Sequence, residues 1–114
     1  MALPQVVVKS TGTSAVALSA PGAADKRRFR VGHVILKFNT APSTSENITI
    51  TRNDGDDASY DVNYLTTDPS VGSKTSVVWY PSNILELEDG DQLVVSYTNT
   101  DGRTIGAKIV GWSV

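Results

Sequence analysis

The chain has 114 residues, no cysteine, and ten basic against twelve acidic side chains, for a formal charge of −2. That length fits one domain around one core, and the lack of thiols excludes a disulfide scaffold, thiol catalysis and Cys-ligated metals. The slightly acidic balance gives no general affinity for nucleic acid, which calls for a basic surface.

Residues Met1, Ala2, Leu3, Pro4 and Gln5 include no cation, and the apolar run that follows is only Val6, Val7 and Val8. Neither a secretory signal nor a membrane span is expected. Strands are expected at roughly 5–9, 14–19, 28–38, 46–52, 59–66, 76–80, 84–87 running on into 91–98, and 103–113, with residues 1–10 an arm or edge strand. Leu85 and Leu87, then Leu93, Val95 and Tyr97, recur with period two, so each set lines one face of a pleated strand. Between strands lie Gly, Pro, Ser, Asn and Asp, as in 20–22, 40–45, 53–57 and 68–73, and Asp-Gly pairs supply the positive-φ positions of tight turns. No apolar stripe of helical period appears, and one helical turn near 68–72 is the most that is expected. The pattern predicts an all-β domain spanning 1–114: an antiparallel two-sheet β-sandwich, jelly-roll-like or immunoglobulin-like, of about eight strands.

Residues 28–38 change parity midway. Phe29 and Val31 are the apolar positions before Gly32, and Val34, Leu36 and Phe38 after it. A shift of one residue is what a β-bulge produces, with glycine accepting its backbone, and this reading is preferred to a strand buried on both faces around Val34, Ile35 and Leu36. The expected core is Phe29, Val34, Leu36, Phe38, Ile48, Ile50, Val62, Tyr64, Leu93, Val95, Ile105 and Ile109.

No constellation announces a reaction, and no catalytic residue, cofactor or metal is expected. His33 is the only histidine; no G-x-S-x-G elbow accompanies it, so it reads as an ordinary strand residue. Glu46, Glu86 and Glu88 do not read as a glycosidase pair, because Glu86 and Glu88 alternate with Leu85 and Leu87 and so face solvent. Asp54, Asp56 and Asp57 do not follow the EF-hand spacing and read as a turn. Asn47-Ile48-Thr49 fits the glycosylation pattern by chance. Tyr60, Tyr64 and Tyr97 share parity with core valines, whereas the neighbours Trp79 and Tyr80 must point to opposite faces. The sharpest charge feature is Lys26, Arg27, Arg28 and Arg30, which reads equally as a contact for an acidic partner or phosphate groups and as a solvated loop entering a strand.

Several phrases together resemble a known group. They are Ala41 to Ile50, Asp61-Val62-Asn63-Tyr64, Asp68-Pro69-Ser70, Val77 to Pro81, Gly90 to Leu93 and Thr98 to Gly106, with Ala20 to Val31 leading into the first long strand. They resemble small β-sandwich virion structural proteins of tailed bacteriophages. The resemblance implies a non-enzymatic structural protein, most of all a capsid decoration (cement) protein or else a head or tail accessory protein, assembled in the bacterial cytoplasm and resident in the virion. It implies as partners other copies of itself (a dimer or trimer) and a major capsid or other virion protein, with no nucleic acid and no membrane. The alternative is a carbohydrate- or receptor-binding module that uses exposed aromatics beside a groove.

Overall fold

Period-two alternation along most of the chain leaves each strand one apolar face to bury, and two sheets pressed together bury both sets. A computed structural model of the chain describes residues 5–20, 28–53, 61–88 and 90–113. Its nine strands are β1 (Gln5–Gly12), β2 (Val16–Ala20), β3 (Phe29–Phe38), β4 (Ile48–Asn53), β5 (Val62–Thr67), β6 (Ser76–Trp79), β7 (Leu85–Leu87), β8 (Gln92–Tyr97) and β9 (Ile105–Ser113). No helix occurs among the described residues; residues 69–73 form hydrogen-bonded turns instead.

One sheet has the order β1-β9-β3-β6, with β7 also paired to β3, and the other has β2-β8-β4-β5. All pairings are antiparallel. β6 covers residues 34–37 of β3 and β7 covers 29–31, so the two form one interrupted edge strand. With that strand taken as one, the chain pairs like a long hairpin rolled up. β1 meets β9, β2 meets β8, β3 meets β6 and β7, and β4 meets β5. This is a jelly-roll sandwich.

The expected single run over 84–98 is split between the sheets. β7 stays in the five-stranded sheet and β8 crosses to the other, through a turn where the Asp91 amide donates to the Glu88 carbonyl at 3.0 Å and Gly90 takes φ 91°.

The inward faces carry Val16, Leu18, Phe29, Val31, Val34, Leu36, Phe38, Ile48, Ile50, Leu87, Leu93, Val95, Tyr97, Ile105 and Ile109, all buried. Two expected core residues do not join them. Ile50 pairs with Leu65 and Thr51 with Asn63, so the β5 register skips Tyr64. The bulge gives the position opposite Ile50 to Leu65, and Tyr64 and Leu65 are both half-buried against the edge of the core. Val62, opposite Arg52 near the end of this edge strand, is 45% exposed. Tyr60 and the Asp54–Asp57 turn lie outside the described residues.

The β3 bulge is present, with the register against β9 shifting between Val31 and His33. The glycine is there for a different reason than expected, since Gly32 has no positive φ. A Cβ at Gly32 would lie 2.7 Å from Trp112 Cζ3, so the indole rests on the bare backbone. On the inner face Gly111 does the same for Phe29, whose Cζ would lie 2.5 Å from an added Cβ.

One end of the sandwich is strapped by side chains. Asn99 is buried, holds φ 58°, and donates through Nδ2 to the carbonyls of Thr13 (3.0 Å), Ser14 (3.1 Å) and Arg103 (2.9 Å). Asp101 accepts from the Thr44 hydroxyl (2.6 Å) and from the Thr44 and Ser43 amides (2.8 and 2.7 Å). Glu46 accepts from the Thr100 amide (2.9 Å) and hydroxyl, and Asp68 from the Ser45 hydroxyl (2.5 Å) and from Ser70. Thus the segments 41–50 and 98–106, far apart in sequence, are bonded together here.

The donors from Thr44 and then Ser43 hold the Asp101 carboxyl down at about 2, from an ordinary 3.8. Asp68 is lowered too, by Ser45 first and then Ser70. Both folded-state values lie below the unfolded ones, so each contributes stability that is present above 3.8 and is lost as pH falls through the folded-state value, about 2 for Asp101. Acid titration of the unfolding midpoint is expected to show that loss, and Asp101→Asn should make the fall over this window shallower. An unchanged slope would contradict the assignment.

Candidate functional site

Outward-pointing side chains differ sharply between the two sheets. On the four-stranded sheet the rungs read Ala17, Ser96, Thr49, Thr66 and Ser19, Val94, Thr51, Asn63. Every one is small or uncharged. On the five-stranded sheet one rung holds Lys9, Lys108, Ile35 and Val78, and the next Thr11, Gly106, Lys37 and Ser76. A third brings Val7 and Val110 beside His33, and a fourth sets Trp112 beside Arg30 and Glu86.

This outer face is therefore basic at one end and apolar across its middle. Lys9, Lys37 and Lys108 are exposed, and none forms an ion pair with a described residue. Lys9 and Lys108 stand directly opposite each other, an arrangement that costs stability in isolation. On the next rung Gly106 puts no side chain between Thr11 and Lys37, and the shallow depression there is lined in part by Lys9, Lys37 and Lys108. Beside it Val7 is 45% exposed, Val78 46% and Tyr80 66%.

Lys26 and Arg27 lie outside the described residues. Arg28 is exposed just before β3. Arg30 projects on the outer face, where its Nη2 donates to Glu86 Oε1 at 2.7 Å. Glu86 is thus half-buried and paired, not simply solvated as alternation suggested, because β7 lies directly opposite β3. Glu88 is exposed. His33 lies on this face with its ring centroid 5.7 Å from that of Tyr80. Sequence reading missed Lys9, Lys37 and Lys108. Alternation marks each as outward, but only the register of three strands brings them together.

A second feature lies on the open side of the sandwich, where the β6–β7 edge faces β5. Tyr64 and Trp79 stack at 5.7 Å and 29°, and with residues 80–85 they line a cleft of about 260 Å³. Trp79 is half-buried and Tyr80 exposed, as opposite faces require. At the strapped end, the Tyr97 hydroxyl is raised in pKa by burial and then by Glu46, Asp101 and Asp68. No group of His, Asp or Glu among the described residues could hold a metal ion.

No family model and no curated protein matches the sequence.

Proposed function

We propose that this chain is a non-enzymatic virion structural protein of the decoration type, seated on a phage head by the outer face of its five-stranded sheet. The observation that carries the reading is the asymmetry between the faces. One is neutral and hydroxylic, whereas the other joins exposed apolar side chains to three lysines with no ion-pair partner among the described residues. An interface of this type takes affinity from its apolar centre and orientation from its charges. The resemblance of several phrases to virion proteins is in keeping with the same reading, and jelly rolls are common among capsid proteins, which is an analogy of fold only.

The receiving surface is acidic, supplied by a major capsid or other virion protein. The Lys26 to Arg30 segment, which leads into β3, is proposed as part of the contact. Copies associate as dimers or trimers, so that weak single contacts add up over an array.

Co-sedimentation with stripped particles tests this. Lys37→Glu combined with Lys108→Glu should lower occupancy on the order of tenfold at low salt, with the fold intact. The difference should shrink at physiological salt, where the screening length is about 8 Å. Equal occupancy for wild type and the double variant at low salt would remove this face from the contact.

A further inference from the structure

We infer that the cleft on the open side of the sandwich is a saccharide site that takes the ring of a neutral pyranose. The inference goes beyond the docking proposal and stands without it. Three breaks in regular pairing meet at this corner. They are the β3 bulge at Gly32 beside His33, the β5 bulge at Tyr64, and the interruption from Tyr80 to Ile84 between β6 and β7. Bulges leave ladder positions unpaired and re-aim side chains, and they concentrate beside binding sites. The interior pair β4–β8 keeps its register throughout. Irregularity is therefore gathered around the cleft.

What it builds is amphipathic and uncharged. Trp79, backed by Tyr64, forms one wall, and Tyr80 and Ile84 stand at the opening, 66% and 79% exposed. Ser82 and Asn83 line the same cleft, exposed, with no side-chain hydrogen bond to a described residue. None of the described residues that line it is charged. A pyranose offers apolar C–H faces to aromatic rings and hydroxyl edges to amide and hydroxyl groups, the two surfaces this cleft presents. At about 260 Å³ it lies just under the ~300–1,000 Å³ of pockets for drug-sized ligands, which suits one or two sugar rings.

The test is an amide NMR titration of the full chain with glucose, galactose, N-acetylglucosamine, maltose, cellobiose and lactose, each to about 50 mM, far above a 1 mM dissociation constant. With at least one of them, saturable shifts should centre on Tyr64 and residues 79–85. Tyr80→Ala, at an exposed position, should weaken binding by about tenfold or more without disturbing other amides, and Asn83→Ala should weaken it less. No saturable shift with any of the six, or shifts mapping to another surface, would overturn the inference. So would an affinity for Tyr80→Ala within about twofold of wild type. Saturable binding of a decaproline peptide at these residues, with no sugar response, would overturn it in favour of a peptide groove.

Discussion

Gly111→Ala should lower the stability of this protein by about 3 kcal/mol or more, the upper range for inserting a methyl into a packed core. Gly111 pairs with Val31 in the β3–β9 ladder, and its Cα faces inward beneath the Phe29 ring. An added Cβ would clash with the Arg30 carbonyl oxygen as well as with the Phe29 ring. The carbonyl belongs to the neighbouring strand and cannot swing aside, so the strand pair itself must shift. Gly32→Ala is the internal contrast. Its new Cβ would meet the end of the half-buried Trp112 indole, a side chain, at 2.7 Å and the Val110 carbonyl oxygen only at 3.0 Å, so less backbone has to shift, and about 1 kcal/mol is expected. Domains of this kind have about 5–15 kcal/mol in all, so chemical denaturation separates the two variants readily. A Gly111→Ala protein within about 0.5 kcal/mol of wild type would refute this packing.

Asn99→Asp should be comparably damaging, at about 3–5 kcal/mol near neutral pH, the penalty for a buried charge without a partner. The substitution preserves shape but places a carboxylate oxygen where the Nδ2 group now donates to the Thr13, Ser14 and Arg103 carbonyls. Its other oxygen still accepts from the Arg103 amide, as Oδ1 does at 3.0 Å. The opposed carbonyls raise the folded-state pKa of the new acid above its unfolded value. Its protonated form is therefore favoured by folding, and the deficit should shrink as pH falls below that raised value. Asn99→Ala should cost about 1–3 kcal/mol with no such pH dependence, from the orphaned carbonyls and from a φ of 58° that suits asparagine better than alanine. Denaturation curves for both variants at several pH values decide the matter. An Asp variant as stable as wild type at pH 7 would contradict the assigned role.

Alternation made most strands legible, because Leu93, Val95 and Tyr97 or Val34, Leu36 and Phe38 have a single reading once one face is buried. The parity change around Gly32 likewise located a bulge. What alternation cannot supply is register. Tyr64 and Leu65 are adjacent and both apolar, and only the pairing with Ile50 decides that Leu65 turns inward. The Trp112 ring that requires Gly32 arrives from the far end of the chain. Asp101, in an Asp-Gly pair, reads as a turn residue because composition shows what a turn tolerates, not which distant segment its side chain binds. The same limit hid the proposed docking face. Lys26 to Arg30 stands out as a run of charge, yet Arg30 is tied to Glu86, whereas Lys9, Lys37 and Lys108 are isolated in sequence and gathered by three strands.

The proposed seating of the five-stranded sheet is tested most directly by the reactivity of lysine amines in the free protein and in the protein bound to particles. Lys9, Lys37 and Lys108 should all react readily when free and be protected together when bound. Lys74, exposed in the turn before β6 and off this face, should react equally in both states. Protection of Lys74 with continued labelling of the three face lysines, or no difference between free and bound protein at any lysine, would contradict the account.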